Sequence, residues 1–490
     1  MARERRRKEG RALTKVQRSS RARSIGLLEV GRPSQLRAPG PPGSVLDGSL
    51  RAMRRDELGM LIDTANRYGD VVRFEFGPRL VHFPTYLVRR PEHIHHVLFE
   101  ARDAYPKSFD YKLLARTLGQ GLVTSEGALW MRQRRLIQPA FRHSQILAFA
   151  DPMIAASLEV SERWNQLAAD GAPVDVAAEM MHLALDIVGR TLFSSDLADE
   201  AEKVSQAVGL LVRQLVERMS SAVGFLTLLV PGLPTPANRR AEKALRTLDD
   251  VVARLIARRR TLPESERPHD LLSMLLAARD EETGETMDDR QVRDEVMTFL
   301  IAGHETTANA LAWTWYLLST HPLVARQLHD ELRSVLAGRE VVVEDLEKLI
   351  YTKAVLQEAM RLFPPVSMIS REARQADEIG GYSIPARSTV LISPWVTHRN
   401  PEIWRAPEGF DPERFLPGAP EHPRLAYLPF GAGPRQCIGS GFAMQEALIA
   451  LAVLAARFQP ALAPGHRVEP QLGVTLRPRH GLPMTIHEAR

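Results

Sequence analysis

The chain is 490 residues long, 25% charged and 44% hydrophobic, a composition that fits a globular protein with a core large enough to enclose a cofactor. Its single cysteine, Cys437, excludes an internal disulfide and any metal site built from several thiolates. Residues 1–40 hold 12 Lys/Arg and 3 Glu, and the rest holds 52 basic and 56 acidic side chains, so no nucleic-acid partner is expected of the near-neutral body.

In chain order, residues 1–37 read as a basic extension too poor in large apolar residues to pack, and disorder is expected there. Its Arg- and Ser-rich character suits an anionic surface, a transit peptide or a dispensable extension, the last being the preferred reading. No apolar h-region marks it as a secretory signal. The Pro/Gly segment Ala38–Gly43 opens a single domain, 38–490, within which no composition shift or repeat marks a boundary. "VVRFEFGPRLVHFP" (71–84) alternates apolar and polar residues around Gly-Pro as a β-hairpin does. Helical periodicity then runs through 147–169, 173–192, 201–222, 239–260, 269–280, 287–319, 322–337 and 346–362. "STVLISPW" (388–395) reads as a short strand and 440–458 as a last helix. The expected fold is mainly α with a minor antiparallel β-sheet.

The 287–319 segment predicts a helix of roughly 50 Å. Its apolar residues wrap nearly all the way round, which places it at the protein centre. Thr286 and Asp289 suit a capping box at its start, and His321-Pro322 suits its end. "AGHETT" (302–307) interrupts it with a glycine, an acid and hydroxyls. His304 and Glu305 also argue against a membrane span here. They are no zinc-protease motif, because Ala308 stands where the second histidine is needed. No chemistry is assigned to His304. "GAGPRQ" likewise fails as a phosphate loop, with Gln436 in place of the third glycine.

The stretch "PFGAGPRQCIGSG" (429–441) places Cys437 among glycines, which permit sharp turns and close approach to a flat partner. Backbone amides, Arg435 and the N-terminus of the following helix all favour a thiolate, and Phe430 suits a screen against water.

Phe-x-x-Gly-x-Arg-x-Cys-x-Gly, complete over Phe430–Gly439, resembles the haem-binding motif of the cytochrome P-450 superfamily. Three more motifs agree in order: Trp130-x-x-x-Arg134, Ala302-Gly303-x-Glu305-Thr306-Thr307, and Glu358-x-x-Arg361 with Arg414 in "PERF". The likeness spans 38–490. It implies haem b with Cys437 as axial metal ligand, and Phe430, Gly431, Gly439, Ala302 and Gly303 around it. It also implies Trp130 at the haem edge and Arg134, Arg371 and Arg435 on the propionates. Gly303 is expected to leave room for dioxygen, while Glu305 and Thr306 deliver protons for its cleavage. Glu358, Arg361 and Arg414 are expected to maintain the fold.

The activity so implied is a monooxygenase acting on a small hydrophobic substrate: a fatty acid, a terpenoid, or a steroid- or polyketide-like molecule. Walls are expected from 105–122, 215–238, 296–306, 366–371 and 472–477, with "FLTLLVPGL" (225–233) among them. Electrons are expected from a separate ferredoxin and ferredoxin reductase, or a flavodoxin-type donor, steered by Arg132 and Arg135. A monomeric, cytoplasmic protein without a transmembrane anchor is expected. A haem-thiolate isomerase or peroxygenase, or a non-catalytic haem sensor, would have less use for the acid–alcohol pair Glu305-Thr306.

Overall fold

The computed structural model describes residues 36–43, 48–49, 56–76, 83–195, 197, 200–219, 235–280 and 284–489. The basic extension up to residue 35 and the segment 225–233 lie outside them.

The chain from Leu36 docks early: Ser383 N–H donates to Leu36 O and Arg73 N–H to Pro39 O, at 2.9 and 2.8 Å. Helix α1 (Glu57–Tyr68) follows, capped by Asp56, which accepts from Gly59 N–H. Strands β1 (Val71–Phe76) and β2 (Phe83–Val88) pair antiparallel, Val71 opposite Val88. β1 stands where the alternation predicts, while β2 runs past the expected end at residue 84, and 77–82 lie outside the described residues.

Next come α2 (Pro91–His95) with a π-helical turn at His96–Glu100, α3 (Phe109–Leu118), α4 (Gly127–Ile137) and α5 (His143–Ala148). Periodicity missed α1, α2, α3 and α5, and α4 was marked only by its Trp-x-x-x-Arg motif. α3 buries only Leu118, so no apolar stripe announces it.

The longer helices stand where the pattern puts them: α6 (Ala150–Asp170), α7 (Val176–Leu192), α8 (Ala201–Met219), α9 (Pro236–Thr261) and α10 (Leu271–Ala277). α11 (Asp289–Thr320), α12 (Pro322–Leu336) and α13 (Ile350–Leu362) complete this series. Strand β3 (Val174–Asp175) precedes α7. α11 has 32 residues, packs on α7, α9, α13 and the C-terminal helix, and buries residues on every side. Its start differs from expectation. Asp288, not Thr286, is the N-cap, accepting from Gln291 N–H, and Thr286 bridges to Arg279 instead.

Strands β4 (Ile369–Glu372), β5 (Asp377–Ile379), β6 (Tyr382–Ile384) and β7 (Thr389–Ile392) come next, then α14 (Pro394–Thr397). The main sheet runs β1-β2-β7-β4, and β7 joins β2 in parallel, Thr85 opposite Thr389. It is therefore mixed, not purely antiparallel. Roughly 300 residues separate β2 from β7, enough for a parallel crossover through the helices.

Helix α15 (Ser440–Ala455) is buried without a break from Gln445 to Ala455 and packs on α6. β8 (Ala461–Leu462), β9 (Pro470–Gln471), β10 (Arg477–Pro478) and β11 (Pro483–Thr485) close the chain, β11 lying between β3 and β8. Among the described residues no helix is long and apolar enough to cross a membrane.

Candidate functional site

A cavity lies between the loop preceding α15 and the middle of α11. Phe430, Gly431, Cys437 and Gly439 line one side, and Ala302, Gly303 and Thr306 the other. The loop is held by its own backbone. Gly431 N–H donates to Leu428 O, Gln436 N–H to Gly433 O and Cys437 N–H to Phe430 O, at 3.0–3.1 Å.

Gly431 and Gly433 have φ of 66° and 77°, a region other residues enter at a cost. A Cβ on Gly433 would also stand 2.6 Å from Leu98 O. Gly439 has an ordinary φ of −88°. Its contribution is an N–H group beside the sulfur. Burial pushes the Cys437 thiol up, while the Gly439 amide and the Arg134 guanidinium pull it down. A metal cation held opposite the sulfur would tip that balance to thiolate.

At one edge of the cavity the basic side chains converge. Arg134 on α4 donates to Gln436 O at 2.9 Å. The Arg435 guanidinium lies over the Trp130 ring, 4.7 Å from its centroid, and pairs with Glu126. Its Nη1 is buried and finds no partner among the described residues. Arg371 on β4 donates to Ser370 O at 2.8 Å.

Lys107, bridged to Arg371 through the backbone, donates from Nζ to Ser125 O at 2.8 Å and to Leu122 O at 3.3 Å. Burial and the neighbouring Arg435 lower its pKa to about 7. Lys107 and Glu126 escaped the sequence reading, since neither "KSFDYK" (107–112) nor "TSEG" (124–127) carries a motif. An excess of buried cations with an orphaned donor calls for an anionic ligand, and the two propionates of haem b fit that demand.

On the opposite wall, Thr306 donates from its hydroxyl to Ala302 O at 2.9 Å. Gly303 has a packing role: a Cβ there would meet Val188 of α7 at 3.1 Å, so the glycine lets two helices approach. Glu305 is 4% exposed and points away from the cavity. Its Oε1 accepts from the Thr475 hydroxyl at 2.7 Å, and Thr475 in turn accepts from Asn309 at 3.2 Å. Glu305 and Thr306 are thus neighbours in sequence that face different surroundings. His304 is fully buried and its Nδ1 bonds Leu300 O at 2.6 Å, a structural placement.

Behind the loop, Glu358 and Arg361 on α13 form a two-pronged pair at 2.6 and 2.8 Å, both fully buried. Arg361 also donates to the carbonyls of His398, Pro407 and Gly409, and Arg414 to Glu358 at 3.3 Å.

His398 carries this network to the cysteine loop. Leu428 N–H donates to its Nε2 at 2.7 Å, so Nδ1 holds the proton and donates to Arg361 O at 3.1 Å. No motif signalled His398. Arg132 and Arg135 are engaged as well: both reach the buried Asp280, at 3.6 and 2.8 Å, and Arg132 donates to Thr286 O. That placement ties them to the segment before α11.

A thiol on a glycine loop and a hydroxyl-bearing helix lining one cavity, with cations at one edge, are the parts of a haem-thiolate oxygenase. The Cytochrome P450 family profile matches residues 39–482, and this chain belongs to that family. It is an oxidoreductase that incorporates oxygen into its substrate, with haem b as cofactor.

Cyclooctatin synthase of Streptomyces melanosporofaciens is 39% identical over 448 residues, 90% of this chain and 94% of that one. Cyclooctat-9-en-7-ol 5-monooxygenase of the same organism is 37% identical, covering 86% and 90%. Pentalenene oxygenase of Streptomyces avermitilis is 34% identical, covering 89% and 95%.

Proposed function

We propose that this chain is a monooxygenase of cyclic terpenoids, receiving electrons from a separate ferredoxin and its reductase. The observation that carries the reading is Cys437 facing Thr306 across a cavity walled by apolar side chains such as Leu122, Phe299 and Val366. The names of the relatives above support the terpenoid class.

Bound haem supplies the splitting of dioxygen and the attack on a C–H bond, driven by thiolate donation. The chain's own residues hold and shield it. Cys437 would ligate the iron, Arg134, Arg371 and Arg435 would pair with the propionates, and Phe430 would keep water from the sulfur. Thr306 turns its hydroxyl from Ala302 O into the cavity and passes a proton there. Glu305, held by the Thr475 hydroxyl on the β9–β10 side, refills it after its carboxyl turns from that bond toward the cavity.

The test is a ligand screen on the haem-loaded protein, following the Soret shift as substrate displaces iron-bound water, with products identified by mass. A cyclic di- or sesquiterpene that shifts the band and gains one oxygen in the presence of ferredoxin and reductase is the expected result. A response confined to linear fatty acids overturns the terpenoid reading.

A further inference from the structure

Residues 119–125, "GQGLVTS", lie between α3 and α4 without regular structure, yet Gly121, Leu122, Thr124 and Ser125 are buried. Leu122 and Val123 line the cavity. A buried loop has to satisfy its backbone groups individually, and here α11 does much of it. Gln120 N–H donates to Asp294 Oδ2 at 2.7 Å and Leu122 N–H to Glu295 Oε2 at 3.0 Å. Contact is closest at the two glycines. A Cβ on Gly119, whose φ is 73°, would collide with the Asp294 carboxylate, and one on Gly121 with the Thr298 hydroxyl.

The two carboxylates are fixed differently. Asp294 pairs with Arg293 at 2.8 Å, and Arg293 pairs with Asp249 of α9. Glu295 is fully buried, and its Oε1 has no partner among the described residues. Its bond to Leu122 is therefore what the side chain is placed to make. Lys107, which faces Glu295, holds the same loop from the carbonyl side through Leu122 O and Ser125 O.

We propose that Glu295, supported by Asp294, is a specificity-determining positioning residue: it clamps residues 119–123 onto α11 and so sets where Leu122 and Val123 stand over the ligand. The inference rests on the haem-oxygenase reading but not on the substrate being a terpenoid.

The test uses the haem-loaded protein with azoles of increasing bulk as probes: imidazole, 4-phenylimidazole and clotrimazole, each titrated by its Soret shift. Hydrogen exchange at the Gln120 and Leu122 amides is read in parallel. Glu295→Leu is expected to speed exchange at Leu122. It is also expected to raise the affinity of the bulkiest azole relative to imidazole by roughly tenfold, the scale of one unpaired buried donor. Glu295→Gln, which keeps an acceptor oxygen, is expected to behave as the unaltered protein.

Unchanged exchange and azole ranking in Glu295→Leu, or a Glu295→Gln variant that behaves like Glu295→Leu, would overturn the proposal. Should Glu295→Leu not fold, the unaltered protein decides: slow exchange at both amides supports the clamp, and rates typical of an open loop refute it. Failure of the terpene screen leaves the azole result standing, so the two readings fail separately.

Discussion

Thr306 and Glu305 show how one residue step on a helix separates two roles. The motif made both legible as a pair, but a step of about 100° on an α-helix turns Thr306 to the cavity and Glu305 to Thr475. The sequence could not reveal that partner, which lies 170 residues further on. Lys107 and Glu126 were hidden for a related reason: their role comes from the meeting of α4, the cysteine loop and the segments before α3 and α4, and no local pattern encodes such a meeting.

In the structure the Thr306 hydroxyl bonds Ala302 O, a bond that could merely bend the helix. Proton delivery and helix bending predict different outcomes for Thr306→Ala. Delivery predicts retained haem and a product yield per electron consumed lower by roughly 10²-fold, with hydrogen peroxide released in its place. Unchanged coupling of electrons to product would leave Thr306 with the structural role alone.

Among the elements, α13 and the cysteine loop are joined by His398. Its ring sits fully buried between Arg361 O and Leu428 N–H, and that burial depresses its pKa from 6.5 to about 3. Between those values the unfolded chain binds a proton that the native protein refuses. The resulting stability is present above about pH 6.5 and is lost as pH falls toward 3, with a slope of up to about 1.4 kcal/mol per unit. Urea midpoints measured from pH 7 to pH 4 are expected to fall more steeply for the unaltered protein than for His398→Gln. Parallel curves would mean that His398 does not stay neutral.

Helices were legible where their burial is one-sided or complete over several turns, as in α6, α7, α11 and α15. The short helices α2, α3 and α5 were not, because each lacks a side-chain cap and buries a single residue, Ile94, Leu118 and Ile146. The parallel pairing of β2 with β7 was equally hidden, since strands distant in sequence carry no mark of their register.

For the whole molecule, the arrangement follows from burying two apolar helices against each other. α11 and α15 cross the core in contact, and the cavity is the gap left where Ala302 and Thr306 oppose the cysteine loop. The mixed sheet brings Arg371 on β4 to the rim, and the Glu358–Arg361–Arg414 cluster braces the loop from behind. The motifs made the family and the fold class readable from sequence. The clamp on 119–125 and the place of Lys107 beside the three rim arginines became visible only with the chain folded.

The central claim is that Cys437 binds haem iron as a thiolate. Its most direct measurement is the carbon monoxide difference spectrum of the reduced, haem-loaded protein, with Cys437→Ser alongside. The unaltered protein is expected to show the red-shifted Soret band of a thiolate-ligated haem, and Cys437→Ser to lose it. A band that persists in Cys437→Ser, or one at the position of an imidazole-ligated haem in the unaltered protein, would contradict the account.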